Sequence, residues 1–79
     1  MANWLKINRA NIEMSNGFLI FQAAVINLDA ATCFAVQNAG TVTVFIEGKA
    51  YNIQQQHDAK AYEAALKYIE SRTQGIKLP

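Results

Sequence analysis

The apolar residues of this chain change their period once, and that change constrains the fold more than any other feature. Up to Ile53 they alternate, or run in short β-branched and aromatic stretches punctuated by Gly17, Gly40 and Gly48. That is the pattern of strands joined by turns. After the polar run Gln54, Gln55, Gln56 and His57, the residues Tyr62, Ala65, Leu66 and Ile69 recur at i, i+3, i+4 and i+7. This is the stripe of a helix with one buried face. Asp58 stands at the N-cap position, Lys60, Glu63, Lys67 and Glu70 occupy the opposite face, and Gly75 is placed for the C′ position. The spacing predicts a helix over residues 58–73. The fold class that follows is α+β: an antiparallel β-sheet of five or six short strands followed by one C-terminal amphipathic helix packed on the sheet.

The glycines also fix expected registers. Asn16 and Gly17 suit a two-residue type I′ turn, because both central residues need positive φ. Such a loop sets Met14 opposite Leu19 and Ile12 opposite Phe21, and leaves Phe18 and Ile20 on the other face. At Gly48 the parity argument is sharper. Val42, Val44 and Ile46 are even, whereas Tyr51 and Ile53 are odd, so only a two-residue loop puts all five on one face. Phe45 then projects from the opposite face. Cys33 to Gln37 reads as another strand, joined to Thr41 through a loop of Asn38, Ala39 and a left-handed Gly40. Trp4 to Asn8 reads as a first strand segment, and Asp29 as the centre of a turn.

Seventy-nine residues make a single domain, residues 1–79, near the lower size limit for a fold without disulfides or metal. The composition is 52% hydrophobic and 16% charged, which excludes disorder and leaves more apolar surface than so short a chain can bury. Its cheapest partner is a second copy of itself. Seven basic residues stand against six acidic ones and are scattered singly, so nucleic acid is not expected as a main partner. Cys33 is the single cysteine, which excludes an intramolecular disulfide and points to a reducing compartment. The first residues lack the features of a signal peptide, and the longest apolar stretch, from Phe18 to Ile26, is far shorter than a membrane-spanning helix. The expected location is the cytoplasm, with no membrane partner.

Three stretches together carry a resemblance: INLDAATCFAV from Ile26, TVTVFIEGKAYNI from Thr41 and DAKAYEAALKYIE from Asp58. Their order resembles that of small, mostly uncharacterised bacterial single-domain proteins, some with a shortened pleckstrin-homology-like sheet capped by a helix. The resemblance implies an α+β domain and no activity, since it carries no catalytic or ligand motif.

No residue constellation points to chemistry. His57, next to the N-cap, has no nucleophile with an orienting third group around it. Cys33 lacks a CxxC partner and reads as a small buried hydrophobe of a strand. One Cys and one His cannot hold a zinc ion without carboxylates at unsuited spacing. No catalytic residue, metal or cofactor is assigned, and the chain is not expected to be an enzyme. The aromatics say more, because they exceed what one small sheet–helix interface can use. Phe18, Ile20 and Phe45 are the candidate interface of a non-enzymatic interaction module, self-associating as a homo-oligomer or acting as an accessory subunit of another protein. The alternative is a carrier of a small apolar ligand, with a pocket between sheet and helix lined by Phe21, Phe34, Tyr62 and Leu66. A third reading is single-stranded nucleic-acid binding through outward aromatics, for which the surrounding positive charge is missing.

Overall fold

A computed structural model of the chain describes residues 3–37 and 40–73. Five strands are followed by one helix: β1 (Trp4–Glu13), β2 (Leu19–Asn27), β3 (Cys33–Gln37), β4 (Thr41–Ile46), β5 (Lys49–Gln54) and α1 (Ala59–Thr73), with a 3-10 turn over Leu28–Ala30 between β2 and β3. All pairings are antiparallel in one sheet of order β2-β1-β5-β4-β3. This is the α+β architecture that the change of period and the resemblance both imply. No described helix is long and apolar enough to cross a membrane. Asn38, Ala39 and Gly75 lie outside the described residues, though Gly40 has the left-handed φ of +78° expected of it.

The β4–β5 hairpin has the register that parity demands. Ile46 pairs with Lys49, Val44 with Tyr51 and Val42 with Ile53, across a turn in which Glu47 and Gly48 have φ of 50° and 79°. Two positive φ values in succession define the type I′ turn, whose twist matches that of the strands. Val42, Val44 and Ile53 are fully buried under the helix.

The first hairpin differs from expectation by one residue. Ile12 pairs with Ile20 and Glu13 with Leu19, and the Met14 N–H donates to the Phe18 carbonyl at 2.8 Å. The loop is therefore Ser15, Asn16 and Gly17. Gly17 takes φ +92° and closes a turn by donating to the Met14 carbonyl at 2.9 Å, while Asn16 Oδ1 accepts from the Phe18 N–H at 3.1 Å. A three-residue loop ending in a left-handed glycine satisfies strand twist as well as the two-residue one, and here the Asn side chain adds a bond to it. A slip of one residue exchanges the faces. Ile20 joins Ile12 on the helix side, Phe18 stands opposite Met14, and Leu19 and Phe21 turn outward.

A second irregularity explains why the start of the chain reads as two segments. Ile7 pairs with Ala24 and Ala10 with Gln22, so Asn8 and Arg9 together face Ala23. This bulge reverses the parity of β1. Leu5 and Ile7 are buried before it, Ala10 and Ile12 after it, and one ten-residue strand serves one core throughout.

β1 pairs with β5 only over Asn11–Glu13, and toward its start the two strands part. The helix enters beside that gap. Asp58, almost fully buried, accepts from the Ala61 N–H at 3.2 Å through Oδ1 and from the Asn8 N–H at 2.8 Å through Oδ2. One carboxylate thus caps the helix and satisfies a bulge amide fifty residues away. Ala61, Ala65 and Ile69 form the buried stripe, with Tyr62, Leu66 and Tyr68 half-buried at its margins. The alanines let the helix approach closely, so the centre of the stripe lies slightly off the predicted Tyr62–Leu66 line.

Asp58→Ala removes both acceptors. Losing the cap costs about 1 kcal/mol, and stranding the Asn8 amide costs about 1–3 kcal/mol more. Asp58→Asn keeps one acceptor oxygen and is expected to fall between Asp58→Ala and the parent in urea unfolding. Equal midpoints for all three proteins would refute the bridging role.

Candidate functional site

The helix covers β1, β4 and β5 but leaves β2, an edge strand, without a partner on its far side among the described residues. β2 reads LIFQAAVIN, nine residues without charge or proline. Long apolar edges of this kind invite further strand pairing, and proteins usually blunt them with Lys, Pro or bulges. Here the bulge lies on β1, and β2 runs through without interruption.

Which backbone groups are free follows from the hairpin. Because the Met14 N–H bonds to the Phe18 carbonyl, the even residues of β2 turn their amides and carbonyls toward β1. The odd residues Leu19, Phe21, Ala23, Val25 and Asn27 turn theirs to the open edge. The side chains of Leu19, Phe21 and Val25 lie on the outer face and are 57%, 67% and 61% exposed. On the helix side, beyond the reach of α1, Ile12, Met14, Ile20, Ala24 and Tyr51 line an open groove of about 380 Å³, with Gln22 and Lys49 at it as well. The strand is thus apolar on both faces as well as unpaired along its edge.

The sequence-predicted interface residues divide between two places. Phe18, 70% exposed at the tip of the hairpin, and Ile20, at the groove, belong to this surface, but on the helix side rather than the outer one. Phe45 is half-buried on the outer face of β4, opposite Cys33 and Ala50, and three strands away from β2. Leu19, Phe21 and Val25 were hidden from sequence reasoning by the one-residue slip. Their signal is the uncharged run itself, coupled to a Ser-Asn-Gly loop.

Of the four residues expected to line a ligand pocket, Phe34, Tyr62 and Leu66 pack against the core on the helix side, and Phe21 does not join them. Phe21 is on the outer face, where it borders a polar cleft with Arg9, Asn11, Asn52, Gln54 and His57. Phe34 packs its ring against Tyr68 at 5.8 Å between centroids. The cleft, about 30 Å³, has room for a water molecule or two. Beneath it Thr43 Oγ1 donates to Asn52 Oδ1 at 2.6 Å, and Asn52 Nδ2 donates to the Asn11 carbonyl at 3.0 Å, reinforcing the short β1–β5 junction. Cys33 is exposed rather than buried, because β3 is the other edge strand and Cys33 lies on its outer face. Among the described residues no three His, Cys, Asp or Glu side chains stand close enough to hold a metal ion.

A polar cluster ties the end of the helix to the β2–β3 link. Asp29 accepts from the Tyr68 hydroxyl at 2.5 Å, from Asn3 through both its backbone and side-chain amides at 3.0 Å, and pairs with Arg72 at 3.4 Å. The Arg72 guanidinium also lies over the Tyr68 ring. The Tyr68 hydroxyl, followed by Asn3, holds the Asp29 carboxyl below the ordinary aspartate value, and the same bond raises Tyr68. The cluster is exposed and uses only residues that bond one another.

No family model matches the chain, and neither a curated protein nor a solved structure does so.

The Asp29 cluster sets a pH dependence. Its carboxyl binds a proton less tightly in the folded chain than in the unfolded one, so its stabilisation is present above the ordinary aspartate value of 3.8 and is lost as pH falls through the lowered value. Melting temperatures of the parent should therefore fall more steeply below pH 4 than those of Asp29→Asn. Parallel acid limbs for the two proteins would show that the cluster contributes nothing.

Proposed function

We propose that this protein is a non-enzymatic interaction module that self-associates through its first hairpin and acts in the cytoplasm. The observation that carries this reading is β2: nine uncharged residues with an open hydrogen-bonding edge and apolar side chains on both faces. Leaving Leu19, Phe21 and Val25 in water forgoes roughly 1.5–3 kcal/mol for each that a partner would bury fully. That is a large share of the stability of a domain this size. A cytoplasmic setting is supported by Cys33, the only cysteine, which has no partner in its own chain.

Single-stranded nucleic acid is the competing occupant of the outer face, because Phe21 offers a stacking surface with Arg9 in the adjoining cleft and Lys6 paired to Val25. Two cations neutralise too few phosphates, and Glu13 lies on the same strand. Affinity for single-stranded DNA or RNA is expected to be weaker than about 10 μM at physiological salt. Sub-micromolar binding with a steep salt slope would replace this proposal with the competing one.

Sedimentation or light scattering at several concentrations tests self-association directly. The average mass should rise above 8.7 kDa as concentration increases, and Phe21→Glu should abolish the rise while leaving far-ultraviolet circular dichroism unchanged. A mass fixed at the monomer value up to millimolar concentration defeats the proposal.

A further inference from the structure

We infer that two copies join by antiparallel pairing of their β2 strands about a two-fold axis at Ala23, which makes a continuous ten-stranded sheet. The inference rests on the self-association proposed above and specifies its geometry. It begins with the alternation of β2. Only the odd residues present free amides and carbonyls at the edge, so a symmetric antiparallel pair must set odd residues opposite odd ones. Any register that does this also keeps the two outer faces on one side, because side-chain alternation and hydrogen-bond alternation share the same period. Three axes near the strand centre meet the condition: Gln22, Ala23 and Ala24.

Length and side-chain size select among them. Ala23 is the middle of Leu19–Asn27, so an axis there pairs the whole strand, whereas an axis at Gln22 or Ala24 leaves residues unmatched at one end of each copy. With the axis at Ala23, Phe21 meets Val25 of the second copy on the outer face, a large side chain beside a β-branched one. On the helix side Ile20 meets Ile26, and Gln22 meets Ala24. The two alanines at the axis let the backbones close. Shifting the axis to Ala24 would put Phe21 against Asn27, and shifting it to Gln22 would put Phe21 against Ala23, so both lose the aromatic–β-branched pair.

A second copy fits this edge better than another protein does because the strand carries no charge that a two-fold axis would double and its large and small positions complement each other when reversed. The contact is small. Nine residues span about 30 Å, and with side chains on both faces they offer on the order of 500 Å² per copy. That totals roughly 1,000 Å², the lower bound for a specific contact. A dimer of micromolar affinity, formed as concentration rises, is the expected state.

Disulfide trapping reads the register. In a Cys33→Ser background, single cysteines are placed at Gln22, Ala23 and Ala24, and the variants are oxidised mildly at a concentration where light scattering shows association. Ala23→Cys is expected to form a covalent dimer fastest, because a residue on the axis faces itself with Cα atoms about 5.5 Å apart. Gln22→Cys and Ala24→Cys face each other rather than themselves, so they should cross-link when mixed but poorly alone. Preferred self-trapping at Gln22 or Ala24 would overturn the Ala23 axis while leaving self-association intact. Association without trapping at any of the three would overturn edge pairing, and a chain that stays monomeric would overturn the underlying proposal instead. Gln22 and Ala23 are exposed and Ala24 is half-buried at the margin of the core, so each variant should fold, and circular dichroism of each is the check.

Discussion

The fold hangs on a single buried carboxylate. A strand that departs from its neighbour exposes amides that something must satisfy, and β1 departs from β5 just where its bulge turns the Asn8 N–H away from the ladder. Asp58 supplies the acceptor, and the same group starts the helix. Strand curvature, helix entry and the direction in which α1 crosses the sheet are therefore set together. At the far end, Tyr68 and Arg72 reach Asp29, so the helix is held at both termini by groups outside the apolar stripe.

Once the helix is held there, the distribution of the remaining apolar surface is decided. α1 is fifteen residues long, about 22 Å, and its small buried residues bring it down onto β1, β4 and β5. The link from β2 to β3 is only five residues, 28–32, although those strands are at opposite edges. Four interstrand spacings come to about 19 Å, which a link containing a 3-10 turn does not cover along a flat sheet. The sheet must curl around the helix, which draws the end of β2 toward the start of β3 while the outer edge of β2 stays unpaired among the described residues. The interaction surface proposed for this protein is thus a by-product of how its core is closed.

Much of this was legible in the residues. The change of period located the helix to within a residue, and the odd-even mismatch between Val42–Ile46 and Tyr51–Ile53 allowed one loop length only. The first hairpin was less determined, because apolar residues on both faces of β2 make parity silent and Ser15-Asn16-Gly17 serves a two- or a three-residue loop. The bulge was hidden for a similar reason: a reversal of parity within β1 looks like the end of one strand and the start of another. Edge positions cannot be read from a strand alone, which is why Cys33 passed for a core residue and Leu19, Phe21 and Val25 passed unnoticed. Asp58 was legible as a cap, but its bond to Asn8 depends on a bulge that no local pattern announces.

The narrow β1–β5 junction also shapes how the chain finds its fold. The β1–β2 hairpin and the β3–β4–β5 meander each form from neighbours in sequence, and such local pieces assemble within microseconds. What joins them is three residue pairs between Asn11–Glu13 and Ala50–Asn52, some forty positions apart, the Asp58–Asn8 bond, and the helix packed across β1, β4 and β5. Closing that long loop is the step that local structure does not speed. Docking of the two halves is thus the topologically costly encounter, and in the folded chain the bond from Asn52 to the Asn11 carbonyl lies across it.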